Sequence, residues 1–415
     1  MVFSGKVNSP ITEDVFFILK QLEAHGHEAR IVGGAVRNFL LNTAISDIDI
    51  ATTALPSEVI TIFKEESASK IALAYVLEDS KKGNASVANM HGTVTVVYNG
   101  KPYEITTLRR DVKTFGRKAQ VEFTKFFEVD SCRRDFTMNA IYMDKNGRIF
   151  DYHNGIQDIA DGNVRFIGEP AERIKEDYLR ILRYFRFVAL YGAYKVNEEY
   201  LETINSLKDN LTILSGERIL SELRKILTID DSYRIIPPMT PSLNALFDLS
   251  CNPLEICVQM ETYDSLSPTE RLGILLKFSK CDMKTLVSKY KFPRDISRFL
   301  FLQESGSSIG EIKRKLKTIR KESRKFFINY MAVLLYQQGI ISIENAKALV
   351  EELEKFCNSG YVDFNFRADD IKDYNLSPEK LKDVMMATKN FWLTSEKDIG
   401  KKECIGFAIT NCAGL

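Results

Sequence analysis

Apolar spacing divides the chain into two regimes. Short helical and strand patterns alternate over the first part, and beyond Ala171 strand signals nearly vanish while amphipathic helical periodicity continues. Val15, Phe16, Leu19 and Leu22 recur at helical spacing and predict a helix within 11–27, ending near Gly26. Ile31 and Val32 predict a short strand, Gly33-Gly34 a turn, and 35–41 a helix. A second strand is expected to carry Asp47 and Asp49. Ile48 and Ile50 alternate with them, which would place both carboxylates on one face. Pro56-Ser57 opens a helix reaching Phe63. Stretches 70–76, 92–98 and 102–108 are rich in β-branched and aromatic residues and predict strands, the last two joined by the hairpin signal Asn99-Gly100. The polar, basic, Gly-interrupted LRRDVKTFGRKAQVEF (108–123) predicts a mobile loop. RRDFTMNAIYMD (133–144) runs from a polar cluster into an apolar strand or helix start. GEPAERIKEDYLRILRYFRF (168–187) predicts one helix, with Leu179, Leu182, Phe185 and Val188 as its buried stripe. The expected fold class is α+β before a boundary at 151–168 and all-helical after it.

Composition narrows the class. At 415 residues the chain is too long for one core, and its 45% hydrophobic and 27% charged residues are those of an ordinary globular protein. No apolar run approaches the roughly 18 residues that cross a bilayer, so no membrane partner is expected. MVFSGKVNSPITEDV has neither the apolar core of a secretion signal nor the character of a transit peptide. The 7 cysteines are scattered and never spaced C-x-x-C, which points to a reducing compartment, the cytoplasm. Net charge is +1, yet between Arg271 and Tyr330 sixteen Lys/Arg stand against five Asp/Glu. That excess, which includes KRKLKTIRKESRK at 313–325, is either a solvated helix face or a surface for a polyanion, and its size favours the polyanion.

The candidate chemistry gathers in two places. Two adjacent acids repel each other and are best tolerated where a cation binds them. Asp47 and Asp49 offer hard oxygen ligands suited to Mg²⁺, which leaves its other positions to water and phosphates. The nearby Gly-Gly turn opens a helix and lets backbone N–H groups approach an anion. Taken singly, a Gly-Gly pair is usually only a turn and Asp-x-Asp only a solvated strand edge; together, with Arg37 between them, they suggest a triphosphate site. Glu104 is either a third carboxylate facing the aspartates or a plain exposed strand residue.

The second place is 177–186, where Asp177 and Arg180 lie three apart, with Arg183 and Arg186 continuing in the same steps. One reading is a surface ion pair with two spare arginines. The other is a base reader, because a carboxylate accepts and a guanidinium only donates. In one plane the couple matches the pairing edges of cytosine and adenine, and it faces uracil and guanine with a carbonyl opposite the carboxylate. Each such mismatch costs about 1–3 kcal/mol. Arg183 and Arg186 would then hold the triphosphate.

GGAVR…DID (33–49), RRDFTMNA (133–140), EDYLRILRYFRF (176–187) and ERILSEL (217–223) resemble, in order and spacing, the class II tRNA nucleotidyltransferases, the CCA-adding enzymes, with bacterial poly(A) polymerases as relatives. The match covers roughly 28–230. The resemblance implies a nucleotidyltransferase head with a mixed β-sheet flanked by helices (1–155), then a helical neck with the base-reading helix (156–230), a helical body (231–310) and a helical basic tail that binds tRNA (311–415). It implies that Asp47 and Asp49 are catalytic Mg²⁺ ligands, that Gly34 and Arg37 contact the triphosphate, and that Arg134 and Asp135 sense the ribose and support the nucleotide. Asp177 and Arg180 would read the base, with Arg183 and Arg186 on the phosphates. The 108–123 segment stands where the family has a flexible loop needed to switch from C to A addition.

The implied function is addition of CMP and AMP from CTP and ATP to the 3′ end of tRNA, with no DNA partner. One alternative is a poly(A) polymerase using ATP alone, against which the uncharged CIGFAITNCAGL terminus weighs; another is a silent tRNA-binding protein. One position departs from the family pattern: Asn38 stands where GG-x-x-R-D has its Asp. None of the histidines 25, 27, 91 and 153 precedes an Asp, which speaks against the phosphohydrolase domain of some relatives.

Overall fold

The structure, a computed structural model, describes residues 9–65, 71–74, 92–115, 118–292, 294–300, 307–359, 363–374, 376–395 and 399–412. It divides into two compact units, Met1–Leu214 and Ser215–Leu415.

The first unit is built on one mixed sheet. Its elements run α1 (Glu13–Ala24), β1 (Ala29–Val32), α2 (Gly34–Leu40), β2 (Asp49–Thr52), α3 (Pro56–Glu65), β3 (Ile71–Ala74), β4 (Thr93–Tyr98), β5 (Lys101–Thr107), β6 (Arg109–Phe115), β7 (Lys118–Phe123), α4 (Phe127–Cys132), β8 (Ile141–Met143), β9 (Ile149–Asp151), α5 (Gly155–Asp161), α6 (Pro170–Glu176), α7 (Leu179–Tyr191) and α8 (Glu198–Leu207). Seven strands pair in the order β3-β4-β5-β2-β1-β8-β9. Only β2 and β5 are parallel among these pairs, with Asp49 opposite Glu104. Alternation along the strands serves two faces. Ile31, Ile50, Ile105 and Val96 join α1, α2 and α3 in the main core, while Val32, Ala51 and Leu108 pack with Phe127 and Tyr142 on the other side.

Local chemistry accounts for most boundaries. Thr12 caps α1 by accepting from the Val15 amide (3.3 Å). The buried residues of α1 are Val15, Ile18, Leu19 and Leu22, whereas Phe16, expected on that face, is 42% exposed. The β4–β5 turn holds Asn99 at φ 51° and Gly100 at φ 76°, the left-handed pair a tight hairpin demands.

Three expectations are corrected. β2 begins at Asp49, so Asp47 lies in the irregular segment ahead of it. Extending the β2–β5 register would set Asp47 opposite Pro102, which has no N–H to offer a further ladder bond. The 108–123 segment is a two-stranded antiparallel hairpin, β6–β7, with a register shift between Asp111 and Lys113; its tip at 116–117 lies outside the described residues. Basic composition concealed the strand character of Val112, Thr114, Val121 and Phe123, and the Arg110 guanidinium forks onto Glu122 across the pair (2.8 and 2.6 Å). The single helix expected over 168–187 is two, α6 and α7, broken at Asp177 in extended conformation (φ −155°, ψ 104°). Asp177 Oδ1 accepts from the Leu179 amide (3.2 Å), a local turn that closes α6 and leaves Tyr178 as the N-cap of α7.

Gly155 permits a close approach beneath the 133–144 motif. A Cβ there would lie 2.3 Å from the Thr137 carbonyl oxygen, a backbone atom that cannot swing aside. Gly155→Ala is expected to cost about 1–3 kcal/mol, as overpacking does, visible as a lower urea midpoint with unchanged slope.

In the second unit the described elements are helical, apart from an isolated bridge between Leu249 and Ser279. Its first helix, Gly216–Leu227, buries Ile219, Leu220, Leu223, Ile226 and Leu227. Part of the basic excess is spent internally. Lys317 is buried and donates to the carbonyls of Trp392 (2.8 Å) and Ser395 (3.3 Å), neutralising the end of the Pro378–Thr394 helix. Arg324 holds Asp363 (2.8 Å), Lys313 pairs with Glu352 (3.3 Å), and Arg271 donates to the Leu227 carbonyl (2.8 Å). Lys325 donates to the Ser265 carbonyl. Arg320 and Lys321 remain exposed. Fewer of these charges face outward than the count implied, because sequence counts charges without showing which ones fold inward.

Candidate active site

The site gathers at one end of the first unit's sheet. β1 ends at Val32; Gly33 turns the chain at φ 75°, ψ −127°, and α2 starts at Gly34. Asp49 heads the adjacent β2 on the face shared with Val32 and Ala51, and Glu104 is its partner on β5. Asp49 is exposed at the head of β2, and partial desolvation of its carboxyl raises its pKa. The charges of Glu104 and Asp47 push the same way, and Arg134 opposes them. Asp47 is exposed, and its Oδ2 accepts from the Ser46 hydroxyl (3.1 Å). Among the described residues no three His, Cys, Asp or Glu side chains are grouped to ligate one ion. Glu104, opposite Asp49 in the β2–β5 register, adds its charge to that of Asp49.

A chain of arginines and their partners leads away from this acid edge. Arg134 donates to the Tyr142 hydroxyl (3.2 Å) and to Asp130 (3.2 Å), and Tyr142 donates to Asp130 in turn (2.8 Å). Burial disfavours charge on both. For Asp130 the guanidiniums of Arg133 and Arg134 outweigh it and lower its pKa; for Arg134 the Tyr142 and Asp130 charges outweigh it and raise its own. Asp135 accepts from Arg183 Nε (2.7 Å) and Nη2, from Asn139 Nδ2 (3.0 Å) and from the Phe136 amide (2.9 Å). Burial would push that carboxyl up, but Arg183 and these donors hold it at about 2. Asn139 Oδ1 in turn accepts from Arg37 Nη1. Arg37 is buried, with its guanidinium 4.4 Å from the Tyr191 ring centroid, and burial lowers its pKa. Phe136, packed on Phe166 (4.8 Å) and Phe187 (5.2 Å), locks the 133–140 motif against α7.

The structure thus brings Arg37, Asp135 and Arg183 into one network and sets Arg134 within electrostatic reach of Asp49. Arg186 stands over the Phe187 ring at 4.4 Å on the half-buried side of α7. Asp177 and Arg180 do not stack on one continuous helix. Asp177 sits at the α6–α7 break, and Arg180 reaches back to the Arg173 carbonyl (2.6 Å), Glu176 (2.5 Å) and the Arg133 carbonyl (3.4 Å). Arg173 donates to the carbonyls of Arg133 (2.7 Å) and Arg134 (2.8 Å), tying this break to the arginine chain. Sequence reasoning missed Asn139, Glu176 and Tyr191. Asn139 stood inside a motif already singled out, and Glu176 lies one turn before Arg180, at ion-pair spacing.

The sheet with its acid edge and arginine chain defines a head of the poly(A) polymerase class: the family described as "Poly A polymerase head domain" matches residues 29–165. The chain is 32% identical over 360 residues to the CCA-adding enzyme of Bacillus mycoides, covering 83% of this chain and 80% of that protein. It belongs to the CCA-adding enzyme family. It is also 35% identical over 310 residues to the mouse protein named CCA tRNA nucleotidyltransferase 1, mitochondrial, covering 72% of this chain and 65% of that relative. Among solved structures it resembles the Bacillus stearothermophilus CCA-adding enzyme in complex with CTP (TM-score 0.64, 24% identity, 98% of each chain). It likewise resembles the Thermotoga maritima CCA-adding enzyme complexed with tRNA (TM-score 0.67, 17% identity, 98% of this chain and 96% of that one). At these identities the structures bear on the fold, and they bear out the α+β head followed by helices. Family membership implies use of a divalent metal.

Proposed function

We propose that the chain adds CMP and AMP, from CTP and ATP, to the 3′ end of tRNA, releasing pyrophosphate. The observation that carries this reading is the continuity from the Asp47–Asp49 edge, through Arg134 and Asp135, to Arg183 on α7 and to the Asp177–Arg180 junction. The relatives named CCA-adding enzymes, including structures titled as complexes with CTP and with tRNA, support it.

The donor set fits Mg²⁺. Two acids with hard oxygens share an edge where Asp49 already resists ionisation, so a divalent cation would relieve the repulsion and still leave positions for phosphates. Asp47 and Asp49 would hold it; when bound, it supplies charge neutralisation at the α-phosphate and acidifies the attacking 3′-hydroxyl. The remaining roles belong to side chains. Gly34 and Arg37 open the triphosphate region, and Arg183 and Arg186 lend donors along α7. Arg134 and Asp135 support the sugar side. Arg180 is held by Glu176 and the Arg173 carbonyl, so its remaining donors are fixed in direction, and Asp177 beside it supplies the acceptor for an exocyclic amino group. The helical second unit would grip tRNA by its backbone, with Arg320 and Lys321 among the cations left outward. The scattered cysteines, never spaced C-x-x-C, support work in a reducing compartment such as the cytoplasm.

The direct test is incubation of the purified chain with tRNA lacking its last three nucleotides, both triphosphates and Mg²⁺, followed by sequencing of the added end. The expected end is CCA; long tails made from ATP alone would assign the poly(A) reaction instead. Asp177→Ala is expected to relax exclusion of UTP and GTP by about 10-fold or more, since each mismatch is worth about 1–3 kcal/mol. Unchanged misincorporation would refute base reading by this pair.

A further inference from the structure

Asn38 is built into the site by both ends of its amide. Its Oδ1 accepts from Arg37 Nη2 (2.9 Å), Arg37 Nε (3.2 Å) and the Tyr191 hydroxyl (3.3 Å). Its Nδ2 donates to the Ala44 carbonyl (2.8 Å). Its backbone oxygen receives the Thr43 amide (2.9 Å) and hydroxyl (3.4 Å). The chain leaves α2 through Asn42, at φ 56°, and folds back across Asn38 before running on to Asp47 and Asp49. One side chain therefore fixes a buried guanidinium on one hand and the approach to the acid pair on the other.

The family pattern has Asp at this position, but in this chain, where the Ala44 carbonyl takes a hydrogen from the Asn38 amide, a carboxylate could not do both. It would accept from Arg37 and Tyr191, but it has no hydrogen to give Ala44, and its second oxygen would face that carbonyl. Lone pair against lone pair would push the 41–48 segment away. Resting on the function proposed above, we infer that Asn38 is a positioning residue for the acid pair: by donating to Ala44 while accepting from Arg37, its amide sets the segment that presents Asp47 and Asp49 to the nucleotide.

The test compares wild-type full chain with Asn38→Asp and Asn38→Ala. Amide hydrogen exchange is read without metal or nucleotide, so this arm stands whether or not the chain adds CCA. Asn38→Asp is expected to speed exchange across 41–48 by about 3- to 10-fold, the loss of one hydrogen bond, while α1 exchanges as before. In turnover, Asn38→Asp is expected to lower kcat for CMP addition by about 10-fold or more with KM for CTP within about twofold, because Arg37 keeps its acceptor and only the acid pair is displaced. Asn38→Ala, which loses both contacts, is expected to raise KM as well.

Wild-type exchange over 41–48 in Asn38→Asp would overturn the inference. So would equal loosening of α1 and 41–48, which marks general destabilisation, or local loosening with kcat and KM unmoved. A wild-type chain that adds no nucleotide while Asn38→Asp still loosens 41–48 alone would overturn the proposed reaction and leave the positioning intact.

Discussion

Alanine at Asp49 is expected to lower nucleotide incorporation by about 10³-fold or more, while retention of tRNA on a filter changes by less than about twofold. The rate effect follows from removing a charge that would anchor the cation at the α-phosphate, where such stabilisation is worth several kcal/mol and about 1.4 kcal/mol is tenfold. Stability should move the opposite way. The pKa of Asp49 is raised by its surroundings and by Glu104 and Asp47, so the folded protein carries the ionised form at a cost. That cost is absent below the unfolded pKa of about 3.9 and grows as pH rises through the higher folded value. In EDTA, Asp49→Asn should therefore melt above wild type at neutral pH, and the gap should close as the buffer is acidified below about 4. A variant that melts lower at neutral pH and adds nucleotide normally would remove Asp49 from the site. An activated acid edge that weakens the fold is the trade expected of a functional position.

Arg183→Ala is expected to destabilise the chain at neutral pH by about 2 kcal/mol, because it strips the principal partner from a buried carboxylate. Asp135 is held at about 2 in the folded state, below an ordinary aspartate. A lowered acid pKa contributes stability above the unfolded value of about 3.9 and loses it as pH falls through the folded one. The difference between wild type and Arg183→Ala should thus be full at pH 7 and should shrink between about pH 4 and 2. Thermal melts across that range read it directly, and a pH-independent gap would assign the loss to packing against Phe187 instead. Incorporation should fall too, through KM for the triphosphate, if Arg183 lends donors to phosphate as well as to Asp135.

Local patterns made much of the head legible. The run from Ile31 through Asp49 gave strand, glycine turn, helix and acids in order, because each step depends on near neighbours: alternation for strands, a left-handed glycine at the turn, a helical stripe for Leu179, Leu182, Phe185 and Val188. Where the reading failed, a competing local signal had been outweighed. Asp177 takes an extended conformation, closes α6 and accepts from the Leu179 amide, and so breaks the expected helix. The basic 108–123 stretch forms a hairpin in which Val112, Thr114, Val121 and Phe123 supply strand-forming residues and Glu122 answers Arg110 across the strands. Asp47 falls off the strand because the register would meet Pro102.

The chain's own order of residues determined the α+β head, the helical remainder, the acid pair and the family, since all rest on spacing within a few turns or strands. Tertiary structure alone decided the partners: that Asn139 links Arg37 to Asp135, that Arg183 is committed to Asp135, that Arg180 turns to Glu176, and that Lys317 and Arg324 fold inward. A side chain's charge is written in the sequence, but what it neutralises depends on which distant segment packing brings within hydrogen-bonding distance.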